Sequence, residues 1–215
     1  MDYLSSILKH FHLDLRPTNS ECIDIQSARS ILYPGAHIAT SSVNEHYHHG
    51  IVVDVEAPEL SIIHFWGQEK DQSRVQTCTL PVFIAGDVKS IGQRHRSLYL
   101  VHYEGDSLEK QQQTVQTARD IMASADAIVY NLATKNCESF ACFCRTGEWK
   151  SEQISILRDL LEGQALQIYD RVKSANQKNR KNIATLLEQI PPTALSATER
   201  ALYDQLCASS SLDTL

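Results

Sequence analysis

The 215-residue chain has no cysteine pair at CxxC spacing, no excess of positive charge and no long apolar run, and each absence removes a class of protein. Lys and Arg number 20 against 26 Asp and Glu, giving a net charge of -6, whereas a nucleic-acid binder needs clustered cations to meet phosphates. No nucleic-acid partner is expected. No stretch approaches the ~18 apolar residues of a spanning helix, which argues against an integral membrane anchor. A positively charged start followed by an apolar segment and a small-residue cleavage site is also missing. The six cysteines are therefore expected to be free thiols in a reducing, cytoplasmic compartment. What remains is an ordinary folded composition, 42% hydrophobic and 21% charged, long enough for one buried domain plus an appendage.

Periodicity divides the chain. Leu4, Ile7, Leu8, Phe11 and Leu15 recur at helical spacing, so residues 1–30 read as an amphipathic helix and linker. After Pro17 come short β-like segments: LYPGAHIAT, HHGIVVDVE, LSIIHFWG, VQTCTLPVFIAG and SLYLVHYE. These predict an antiparallel sheet, not a βαβ series. From Ser107 the period becomes helical, with Leu108, Val115, Ala118, Ile121 and Met122 on one face. The helix after Asn136 keeps Cys137, Phe140, Ala141 and Cys144 together and stops at Gly147. The expected class is α+β, with the main domain over 31–153 and a helical extension over 154–215 that ends in a frayed tail.

The chemistry concentrates in TKNCESFACFCRTG, residues 134–147. Asn136 suits an N-cap and Glu138 the positive end of a helix dipole, which puts Cys137 in a first turn, a position that favours a thiolate. A thiolate nucleophile needs a base within reach and a third group to orient that base. His46, His48 and His49 precede the strand GIVVDV, and His64 ends the neighbouring strand LSII. Alternation puts His49, Ile51, Val53 and Val55 on one face and His48, Gly50 and Val52 on the other. Periodicity alone favours His48 only slightly over His49 as the base. Gly50 leaves room beside His48 for a close helix, and His49 reads equally well as a packed residue.

YPGAHI, HHGIVV, IIHF and NCESFACFCRTG, in that order between about Tyr33 and Gln153, resemble the lecithin:retinol acyltransferase-like proteins, including the H-Ras-suppressor-like phospholipase/acyltransferases. The resemblance implies Cys137 as nucleophile, His48 as general base and His64 as the residue that orients it. It also implies a circularly permuted relative of the NlpC-type papain-like peptidases, and a phospholipid or other acyl ester attacked through an acyl-cysteine. No cofactor or metal follows from it. His49 stands where the family usually has an aromatic, and Ser139 where many members have a histidine. The His48 to His64 spacing is widened by EAPELS. The hydrophobic segments that flank the core in several animal members are missing, so contact with a membrane surface would be transient. The basic residues Arg171, Lys173, Lys178, Arg180 and Lys181 could assist, although they read first as a solvated face.

Other readings compete. Cys137 could be a buried small hydrophobe. A zinc site from His46, His48, His64 and Cys137 lacks closely paired ligands. The same triad could serve a peptidase or amidase, or persist in a silent interaction module. Cys142 and Cys144 read as packing or surface residues, and His10, His12, His37, His95 and His102 as ordinary polar positions.

Overall fold

A computed structural model describes residues 15–41, 46–67, 72–93, 96–124, 128–131 and 134–159. Among them is a six-stranded sheet built from β1 (Ser20–Ile23), β2 (His37–Ser41), β3 (His48–Asp54), β4 (Ser61–Trp66), β5 (Arg74–Thr79) and β6 (Ser97–Val101). The spatial order is β1-β6-β2-β3-β4-β5, and every neighbouring pair is antiparallel. The fold is α+β, as the segment order predicts. The N-terminal helix lies outside the described residues, and β1 falls in the stretch read as linker.

Both faces of the sheet are covered, which is why the central strands read as near-continuous apolar runs. On one face Ile38, Val52, Ile62, Leu98 and Leu100 form a core with helices α1 (Ala28–Ile31) and α2 (Leu80–Ala85). On the other, Ile51, Val53, Ile63, Phe65 and Val75 pack against α3 (Leu108–Ala123) and α4 (Cys137–Thr146). A final described helix, α5, spans 152–159.

Helix α2 corrects the reading of VQTCTLPVFIAG as one β segment. The strand ends at Thr79 and the chain turns helical at Leu80, with Pro81 in the first turn and Gly86 capping the end at φ 88°. Proline cannot donate to a ladder but suits a helix start, and an apolar run alone does not separate strand from buried helix. Helix α3 starts where expected, with the Ser107 side chain accepting from the Lys110 N–H. Val115, Ala118 and Ile121 are buried, but Leu108 is not part of that face and is exposed.

Two glycines position the elements. Gly35, at φ 92°, sits against α3, where a Cβ would stand 2.5 Å from the Gln111 carbonyl oxygen. At Gly50 a Cβ would meet Ile62 Cγ2 at 2.7 Å and Phe83 Cε2 at 2.9 Å. The close helix that Gly50 admits beside His48 is therefore α2, through Phe83.

Candidate active site

Asn136 caps α4 reciprocally with Ser139. Asn136 Oδ1 accepts from the Ser139 N–H (2.9 Å), and Ser139 Oγ accepts from the Asn136 N–H (2.8 Å). Serine at 139 thus completes a capping box, which satisfies two helix-start donors and fixes the turn that carries Cys137. Cys137 is buried, and its Sγ lies 4.0 Å from the Tyr47 carbonyl oxygen, one residue before His48.

Register brings the next two residues together. Gly50 pairs with His64, so His64 shares a face with both Gly50 and His48, two residues away on the diagonal. His48 Nε2 and His64 Nδ1 are 2.7 Å apart. Phe83 stands against both rings, with centroids at 5.1 Å and 5.8 Å, and Trp66 stacks on His64. Burial pushes the His64 imidazole down to about 4, so it is neutral at pH 7. His48 is half-buried, and together with Cys137, His46, Trp66 and Tyr130 it lines a cavity of about 670 Å³. His46, His48 and Cys137 thus meet at one opening. Among the described residues no group of three or more His, Cys, Asp or Glu is placed to hold a metal ion.

His49 points through the sheet to the other face. It is fully buried but not merely packed: its Nδ1 is 2.8 Å from His37 Nε2, its Nε2 is 2.9 Å from Gln153 Nε2, and His37 Nδ1 is 2.8 Å from the Tyr103 hydroxyl. Chemistry fixes the direction of this chain. The Tyr47 N–H donates to Gln153 Oε1 (2.8 Å), so Nε2 is the amide nitrogen and can only donate. His49 Nε2 therefore accepts, its Nδ1–H donates to His37, and His37 Nδ1–H donates to Tyr103. Both imidazoles are neutral; burial pushes His49 down to about 3 and His37 well below its ordinary value. His37, read from sequence as an ordinary polar position, is a buried member of this chain. A larger cavity, about 930 Å³, opens over His37, His49 and Tyr103, and includes neither Cys137 nor His48.

Glu138 also has a local task. Its carboxylate accepts from the Glu152 N–H (3.0 Å), the Gln153 N–H (3.2 Å) and the Ser151 hydroxyl, capping α5 from a distance in sequence. Burial raises its carboxyl above the usual range against the pull of these donors. Of the remaining thiols, Cys144 is buried with its value raised by desolvation, and Cys142 Sγ lies 3.5 Å from Thr146 Oγ1. His102 is exposed, 3.3 Å from Glu21; His10, His12, His95, Cys207 and the basic stretch 171–181 lie outside the described residues.

A thiol at a capped helix start and a paired histidine, His48, on the same cavity define a class: an α+β protein with the parts for cysteine-histidine chemistry. The lecithin retinol acyltransferase family model matches residues 31–150, more than half of the chain, and the chain belongs to that family. Membership points to acyltransferase or phospholipase-type activity on lipid acyl substrates. No curated protein and no solved structure matches the chain. Among the described residues no helix is long and apolar enough to cross a membrane.

Proposed function

We propose that the protein is a thiol-dependent acyltransferase or phospholipase A that acts on acyl esters, glycerophospholipids above all, through an acyl-cysteine intermediate. The observation that carries this reading is that His48, 2.7 Å from His64, lines the same cavity as Cys137. In this reading neutral His64 carries its proton on Nε2 and accepts at Nδ1 from His48 Nε2–H, and His48 Nδ1 takes the thiol proton. His64 therefore orients the base without adding charge.

The thiolate then attacks the ester carbonyl carbon. The carbonyl electron pair moves onto oxygen, to be met by backbone N–H groups at the start of α4, whose first donors have no partner inside the helix. Collapse breaks the ester C–O bond, the leaving alkoxide takes the proton from His48, and a thioester remains on Cys137. Water or an acceptor amine or alcohol resolves it. Access to substrate is by transient contact with a membrane surface from the cytoplasmic side.

Incubation with micellar short-chain phospholipid should give an acyl adduct on Cys137 by mass spectrometry, removable by hydroxylamine. Cys137→Ala should form no adduct and lose turnover. Equal turnover by Cys137→Ala, or cleavage of a peptide or isopeptide substrate with no lipid adduct, would sink the reading, the second outcome in favour of a peptidase.

A further inference from the structure

Gln153 lies three residues beyond the end of the family match, yet its side chain joins both halves of the candidate site. It is buried. Oε1 accepts from the Tyr47 N–H (2.8 Å), while Nε2 faces the Tyr47 carbonyl (3.2 Å), the Glu138 carboxylate (3.2 Å) and His49 Nε2 (2.9 Å). Tyr47 immediately precedes His48, and Glu138 immediately follows Cys137. Strand β3 begins at His48; one residue earlier, the Gln153 carboxamide pairs with both the N–H and the C=O of Tyr47, as a neighbouring strand's peptide would. The same Tyr47 carbonyl is the group 4.0 Å from Cys137 Sγ.

We propose that Gln153 is a positioning residue for the reaction at Cys137: its carboxamide locks the peptide before His48 to the residue after Cys137 and so sets the distance between thiol and base. The proposal rests on the reading of Cys137 and His48 as nucleophile and base. Only a carboxamide does this work at this site, because it supplies an acceptor for the Tyr47 N–H and two N–H donors shared among the three other partners in one planar group. A glutamate would set a second carboxylate against Glu138, and a methionine of similar length would make none of the bonds. The backbone of α5 is itself held by Glu138, so the amide is presented from a capped helix start and not from a loose loop. As a positioning residue Gln153 acts through Tyr47 and Glu138.

The test uses full-length Gln153→Met and Gln153→Asn, the second keeping the amide but one methylene too short to span its partners. Two readouts go beyond folding: the pH dependence of iodoacetamide alkylation at Cys137, located by mass spectrometry, and kcat and KM on a short-chain phospholipid. His48→Ala is run beside them. The folded variants should show the alkylation midpoint moved upward and kcat reduced about 100-fold with KM nearly unchanged, the signature of a misplaced base. Wild-type profile and kcat in either folded variant, while His48→Ala is disabled, overturns the Gln153 proposal and leaves the triad standing. If His48→Ala itself behaves as wild type, the triad reading fails and this proposal with it. Failure of both Gln153 variants to fold would make Gln153 a stability residue and would also overturn it.

Discussion

Adjacent histidines on β3 end in opposite settings. His48 joins His64 on one face and opens on a cavity shared with Cys137, whereas His49 joins His37 on the other, beside a cavity that includes neither Cys137 nor His48. Both pairs are built alike, from residues diagonal across an antiparallel ladder. What differs is the partner at the far end. His49 accepts from an amide that cannot take a proton, so its chain is locked in one direction, whereas His48, bonded to His64 through Nε2, also lines the cavity that holds Cys137. On the proposed reading of His48, a histidine pair is a base or a structural strut according to what terminates it.

Breaking each pair should separate these roles. The largest effect expected is on rate: His48→Ala should lower kcat/KM about 100- to 10,000-fold, the usual worth of a general base, with little change in melting temperature. His64→Gln should fall between His48→Ala and wild type, because an amide can still accept from His48 Nε2–H but without the fixed ring stacked on Trp66; steady-state kinetics checks it. His49→Phe should act on stability instead. It leaves His37 and Gln153 each short of a buried partner, at about 1–3 kcal/mol, measurable by urea unfolding.

The acid limb of stability sharpens the contrast further. His49 and His64 have folded values of about 3 and about 4, below the ordinary 6.5. As pH falls from about 6.5, the unfolded chain takes up protons that the folded chain refuses. Their stabilising effect is therefore complete above pH 6.5 and is lost progressively toward pH 3. His49→Phe should flatten that decline, which unfolding curves across this range would reveal. Cys142→Ala should change least: activity and stability within error of wild type, since its thiol only grazes Thr146.

Local pattern carried much of this. Strand alternation separates His48 from His49, and the asparagine before Cys137 marks the helix start, so the two faces and the thiol's position were legible without coordinates. The buried chain was not. His37, His49, Tyr103 and Gln153 come from four segments, with sequence separations of 12, 66 and 104 along the bonds that join them. No period or short motif encodes such contacts. Helix α2 was hidden for a different reason: LPVFIA is apolar throughout, and burial on every side erases the periodicity that distinguishes the two kinds of element.

The hairpin between β3 and β4 has a consequence for how chains of this kind are found. Arg29 reaches from α1 to the carbonyls of Val55, Ala57 and Pro58, and the Asp54 carboxylate accepts from the Glu56 and Ala57 N–H groups, so EAPELS is stitched down at its tip. The distance from His48 to His64 is set by the Gly50↔His64 register and not by the number of residues between them. Lengthening such a loop costs little, about 0.6 kcal/mol per doubling, so insertions can accumulate there while the geometry of the pair stays unchanged. A search written with a fixed gap between the two histidines would pass over such a chain; one written in strand register would retrieve it.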